Sequence, residues 1–126
     1  MAHLETALSY RCAGLCVLPA ILGQKRPALA AWRPYQGRLP TEEEVRRWFE
    51  RADALCLVAG RVSGNLEMLD FDLGGEAFQP WYTSVERADP GLLSRLVMVQ
   101  SPSGGWHVAY RSVAPVCGNL KLAQRR

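Results

Sequence analysis

An α/β fold of the α+β kind, with a mostly antiparallel mixed sheet and flanking helices, follows from three stretches of this sequence. Thr41-Glu42-Glu43-Glu44 has the form of a capping box that opens a helix. Leu66 to Leu73 is rich in strand formers and ends in two acids, Asp70 and Asp72. Leu96 to Gln100 and Trp106 to Arg111 are strand-like runs on either side of Ser101-Pro102-Ser103-Gly104-Gly105, which reads as a hairpin. The 126 residues are expected to form one domain, with residues 112–126 as loop and tail.

In chain order, Leu4, Ala7, Leu8, Arg11 and Cys12 recur at helical spacing and predict a helix over residues 3–13, closed by Gly14. Leu15 to Pro19 reads as a short buried strand ended by its proline, which has no N–H for a ladder. Residues 23–40 are rich in Gly, Pro, Lys and Arg and read as a loop. A helix over residues 42–51 would turn Val45, Trp48 and Phe49 to the core. Leu55 to Ala59 is a continuous apolar run of the kind buried on both sides, and residues 60–64 turn into the acidic strand. Residues 75–88 read as a helix with Pro80 early in it, where proline is tolerated. The order of the strands in the sheet does not follow from these patterns.

The chemistry concentrates at the ends of two strands. A strand repeats its faces every two residues, so Asp70 and Asp72 stand on one face, roughly 6–7 Å apart at their Cα atoms. Two adjacent carboxylates favour a neutralising cation, and Mg²⁺ or Mn²⁺ suits them. The same acids also suit a plain strand end that caps the segment from Gly75. Ser103, Gly104 and Gly105 can form a turn whose backbone N–H groups meet an anion, and His107 follows on a face shared with Ala109 and Arg111. Lys25, Arg26, Arg33 and Arg38 around Trp32 and Tyr35 mix cations with flat rings, as single-stranded nucleic-acid sites do. A solvated loop pinned to the core by its tryptophan has the same composition.

The ordered set resembles the N-terminal domain of the bifunctional DNA primase/polymerases, the prim-pol branch of the archaeo-eukaryotic primase superfamily. The pieces are Ala7-Leu8-Ser9-Tyr10 with Gly14-Leu15-Cys16-Val17-Leu18-Pro19, then Lys25-Arg26-Pro27, Trp32 and Arg47-Trp48-Phe49. Gly60 to Gly64, Leu69-Asp70-Phe71-Asp72 and Ser103-Gly104-Gly105-Trp106-His107 complete the set, so the resemblance runs from residue 4 to about 111. It implies an RRM-like catalytic core, Asp70 and Asp72 as metal-binding acids, and Ser103 with His107 on the triphosphate of an incoming nucleotide. Lys25 would be a further phosphate or template contact. It also implies nucleoside triphosphates and single-stranded template or primer DNA as partners, a helicase domain or protein as a further one, and replication of a plasmid, phage or other mobile element as the setting. The family has a third acidic motif on a later strand, and no acid follows Asp89 here, so the expectation is a chain that stops before that motif.

Composition excludes several other classes. With 48% hydrophobic and 21% charged residues the chain is ordinary globular material, and its net charge of +3 is compatible with nucleic acid without arguing for it. Cys12, Cys16, Cys56 and Cys117 lack zinc spacing and read as reduced core thiols of a cytoplasmic protein. The apolar run from Leu15 to Leu22 falls short of the ~20 residues a bilayer needs, and no signal peptide opens the chain. Three functions remain in play: a two-metal nucleotidyltransferase core, a nucleotide- or single-strand-binding fragment without chemistry, and a metal-dependent phosphohydrolase.

Overall fold

The computed structural model describes the chain except for Met1, Lys25, Pro102, Ser103 and residues 116–121 and 123–126. Helix α1 (Ala2–Cys12) leads into β1 (Cys16–Ala20), α2 (Glu42–Trp48) and β2 (Ala54–Val58). Strand β3 (Leu66–Phe71), helix α3 (Phe78–Ala88), β4 (Val97–Gln100) and β5 (Trp106–Arg111) follow. Every strand pair is antiparallel, and the strands divide into two sheets, β1-β2 and β3-β5-β4. Among the described residues a single bridge, Gly60 to Leu66, carries pairing from the first toward the second. The expected tail over residues 112–126 lies mostly outside the described residues, as does Cys117.

Helix α1 ends as its sequence asks. Gly14 sits at φ +80, its N–H donates to the Arg11 carbonyl, and the Leu15 N–H donates to the Tyr10 carbonyl, which is the Schellman arrangement. The chain thereby reverses into β1, which packs Val17 against Ala7 of α1, Val45 of α2 and Phe49 just after it. The other face of β1 presents Cys16 and Leu18 to Tyr35, with Trp32 and Leu29 alongside. The aromatic loop is therefore a cover for the first sheet: Tyr35 is buried, and its ring meets Trp48 edge-on at 5.3 Å. Burial raises the Cys16 thiol to about 11, with Cys56 adding to the effect, and the neutral thiol donates to the Tyr35 carbonyl at 3.2 Å.

Five expectations are corrected in detail. Pro19 does not end β1, which runs on to Ala20; a proline is tolerated in an edge strand, and here its carbonyl accepts from the Ala28 N–H at 2.8 Å. Strand β2 packs on both sides, Leu55 and Leu57 on one and Cys56 and Val58 on the other, but it is half-buried along its length rather than fully buried. Helix α2 stops at Trp48, three residues early, and α3 starts at Phe78, three residues late. Cys12 is exposed at the end of α1, so it is not a core thiol. Among the described residues no helix is long and apolar enough to cross a membrane.

Two polar contacts hold the first half together. Ser63 is fully buried, accepts from the Cys16 N–H at 2.8 Å and donates to the Val58 carbonyl at 2.5 Å, tying β1, β2 and the following turn at one point. At α2 the capping box forms in full: the Thr41 hydroxyl accepts from the Glu44 N–H, and the Glu44 carboxylate accepts from the Thr41 N–H. That carboxylate also accepts from the Tyr35 hydroxyl and pairs with Arg38 at 3.1 Å, while the Arg38 guanidinium lies 4.6 Å from the centre of the Tyr35 ring. Burial pushes the Glu44 carboxyl upward, but hydrogen bonds from Arg38, the Thr41 backbone and Tyr35 outweigh it and bring the group down to about 2.

Ser63→Ala leaves the buried Cys16 N–H without its acceptor, so urea denaturation should show a loss of about 1–3 kcal/mol with an unchanged slope. Glu44 yields a pH signature with a definite sign. Its carboxyl lies at about 2 against an ordinary 4.5, so its stabilising contribution is complete above 4.5 and is lost as pH falls from there toward 2. Denaturation midpoints of wild type and Glu44→Gln, measured across that range, should therefore converge as the solution is acidified.

Candidate active site

The second sheet has a covered face and an open one. Phe71 of β3 and Trp106 of β5 lie on the covered face, where Phe71 meets Phe78 and Trp81 of α3 at 5.4 and 5.3 Å and Trp106 stacks on Phe78 at 4.4 Å. Pleating sends the alternate residues to the other side. There the register sets Val99, His107 and Asp70 in one row and Val97, Ala109 and Met68 in the next. Among the described residues nothing comparable to α3 covers this side: Val97, Val99 and Met68 are 62%, 56% and 46% exposed.

Asp70 and His107 meet on the open face because they are register partners on neighbouring strands. His107 Nε2 stands 3.2 Å from Asp70 Oδ1, with both side chains partly exposed to solvent. Neither residue announces the other in the sequence, where 37 positions separate them. Asp72 lies just past the end of β3, at φ −83 and ψ −170, so the extended backbone carries the alternation one step further. Its side chain makes no capping hydrogen bond to the turn that follows. Glu67 is on the covered face, where it accepts from the hydroxyls of Tyr110 and Ser112.

The glycines of the β4–β5 turn are explained by close approach. A Cβ on Gly105 would stand 2.3 Å from the Phe71 carbonyl oxygen, so no other residue fits without moving β3. The Gly104 N–H donates to the Ser101 carbonyl at 3.0 Å, and the Ser101 N–H donates to the Gly105 carbonyl at 2.8 Å. The Gly104 amide is thus occupied in closing the turn. Ser103 and Lys25 lie outside the described residues. Arg111 is the register partner of Leu66, four residues and roughly 13 Å along β5 from His107, and its guanidinium donates to the Ala13 carbonyl at 2.6 Å. In this arrangement it stands over the end of α1 rather than beside Asp70.

The turn after Asp72 escaped the sequence reading, although the Gly74-Gly75 doublet was there to be seen. Leu73, Gly74 and Gly75 all have positive φ, at 54, 68 and 76. A leucine in this region is costly and is found where surrounding structure enforces it. A Cβ on Gly75 would lie 2.9 Å from Trp106 Cδ1 and 3.2 Å from the Gly104 carbonyl oxygen, so this turn and the β4–β5 turn interlock.

Whether the pair of acids suits a metal ion can be judged from their chemistry. Among the described residues no three His, Cys, Asp or Glu side chains come together as a ready-made cage. Mg²⁺ rarely needs one: it is commonly held by one or two carboxylates with waters and substrate phosphates completing the shell. Asp70 and Asp72, hard oxygen donors at the open end of a strand, fit that mode of binding.

Comparison with curated proteins gives no match. From residue 7 to residue 125 the chain matches the Prim-Pol model, described as bifunctional DNA primase/polymerase, N-terminal, and it belongs to that family as a domain of the DNA primase/polymerase type.

Proposed function

We propose that this domain is the nucleotidyl-transfer centre of a DNA primase/polymerase, acting in replication of a plasmid, phage or other mobile element. Nucleoside triphosphates and a single-stranded template with its primer are the substrates. The observation that carries the reading is the Asp70–His107 pair, 3.2 Å apart on the uncovered face of the sheet, in a chain of the primase/polymerase family.

In this reading Asp70 and Asp72 are the residues that would hold Mg²⁺ or Mn²⁺. The bound ion would supply Lewis-acid charge at the reacting phosphate and favour the ionised form of an attacking hydroxyl. Position and charge are what the protein itself contributes. The imidazole of His107 orients the Asp70 carboxylate and, when protonated, places a cation beside the triphosphate. Gly104 and Gly105 belong to the turn that precedes His107, and Ser103 and Lys25 are further candidates for phosphate contact. The uncovered sheet face leaves room for a primer end to approach both acids.

A second reading is favoured by one specific observation. The described residues supply two carboxylates and no third acid near them, which suits a module that binds nucleotide or single-stranded DNA without turning it over. Primer extension separates the two. With Mn²⁺ present, wild type should extend a primer, and Asp70→Asn or Asp72→Asn should lower the rate at least about a hundredfold while calorimetric nucleotide binding persists in part. Unchanged extension by either variant would sink the assignment; tight nucleotide binding with no extension by wild type selects the binding module. His107→Ala should weaken nucleotide binding about tenfold, the scale of one charge-assisted hydrogen bond, and a calorimetric titration that matches wild type would remove His107 from the site.

A further inference from the structure

Asp72 occupies an exposed position in the fold. The β3–β5 ladder ends at the pair Phe71–Trp106, so no cross-strand partner holds the second acid. Its carboxylate makes no capping bond, and the turn after it closes through one hydrogen bond, from the Gly75 N–H to the Asp72 carbonyl at 2.9 Å. A carboxylate on such a short, open turn is expected to swing. Yet the turn is held at three successive positive φ values, one of them on a leucine whose side chain is 64% exposed and so gains little from packing. Something outside the turn must supply that constraint.

We propose that Gly75 and Trp106 are positioning residues that aim Asp72 at the metal it shares with Asp70, an inference that rests on the metal-binding reading of the acid pair. Gly75 lies so close to the indole that a Cβ would come within 2.9 Å of Trp106 Cδ1. Trp106 is itself fixed from behind, stacked on buried Phe78 at 4.4 Å with the rings 10° from parallel. On the other side of Asp72, the preceding carbonyl, that of Phe71, is pressed against Gly105. The peptide that carries the acid is clamped before and after by two glycine contacts, and the aromatic layer under the sheet sets the height of the second one. The packing of α3 thereby reaches the open face through one backbone turn.

The test is Mn²⁺ affinity, read by the loss of the free-ion paramagnetic resonance signal, with thermal melts as a parallel control of folding. Gly75→Ala must shift the turn off the indole and should weaken Mn²⁺ binding about tenfold, the scale expected when support behind a metal ligand is removed. Trp106→Phe keeps a ring on Phe78 and should give a smaller loss, about threefold; it also carries the test if Gly75→Ala fails to fold. A folded Gly75→Ala or Trp106→Phe that binds Mn²⁺ as wild type does overturns the proposal. Asp72→Asn sorts the two levels of inference: lost Mn²⁺ binding in that variant upholds the acid pair, whereas wild-type binding would remove the metal role of Asp72 and the positioning role with it.

Discussion

The contact between the Phe71 carbonyl and Gly105 is the constraint on which the functional half of the molecule depends. It lets the last residue of β3 lie directly over the β4–β5 turn, at a separation no side chain would allow. Three consequences follow from that approach. The ladder keeps its register to the very end of β3, so Asp70 faces His107. Asp72 emerges beside the turn instead of splaying away from it, and the next turn can lock onto Trp106. Glycine is required at 105 by space, independently of any ligand.

The two sheets serve different ends. Sheet β1-β2 is filled on both sides, by α1 and α2 on one and by the Trp32–Tyr35 segment on the other, and its polar contacts are internal. Ser63, Glu44, Arg38 and the Cys16 thiol all spend their hydrogen-bonding capacity there on holding chain segments together. Sheet β3-β5-β4 has an aromatic layer beneath and an open surface above. Chemistry needs the open surface, and the rigidity to support it comes from the packed rings of Phe71, Phe78, Trp81 and Trp106. Arg111 joins the halves, reaching from the end of β5 to the carbonyl left free at the close of α1, where its charge also complements the helix dipole.

Local signals in the chain were reliable where the interaction itself is local. The capping box at Thr41 and Glu44 spans three residues, and it formed as its sequence required. Gly14 closed α1 for the same kind of reason, and the hairpin around Ser101–Gly105 needed only its own turn residues and alternation. Patterns failed when the outcome depended on how many neighbours an element would acquire. An apolar run such as Ala54–Val58 is equally compatible with a central strand and with one member of a pair, and here it is the latter. Trp32, Tyr35 and Arg38 looked alike in composition to a nucleic-acid patch; burial of Tyr35 and the engagement of Arg38 with Glu44 make them part of the core's cover.

The sequence by itself determined the element types, the glycine turns, the two acids at a strand end and the membership of the primase/polymerase family, since each rests on spacing within a short segment or on the ordered set of such segments. Only the tertiary structure decided that β3 pairs with β5 rather than β4, and with that pairing that His107 stands 3.2 Å from Asp70 while Arg111 is carried to the far end of the sheet. Register is a long-range property: it depends on which hydrophobic rows fit over Phe78 and Trp81 and on where Gly105 permits two backbones to touch, and no stretch of chain contains that information alone.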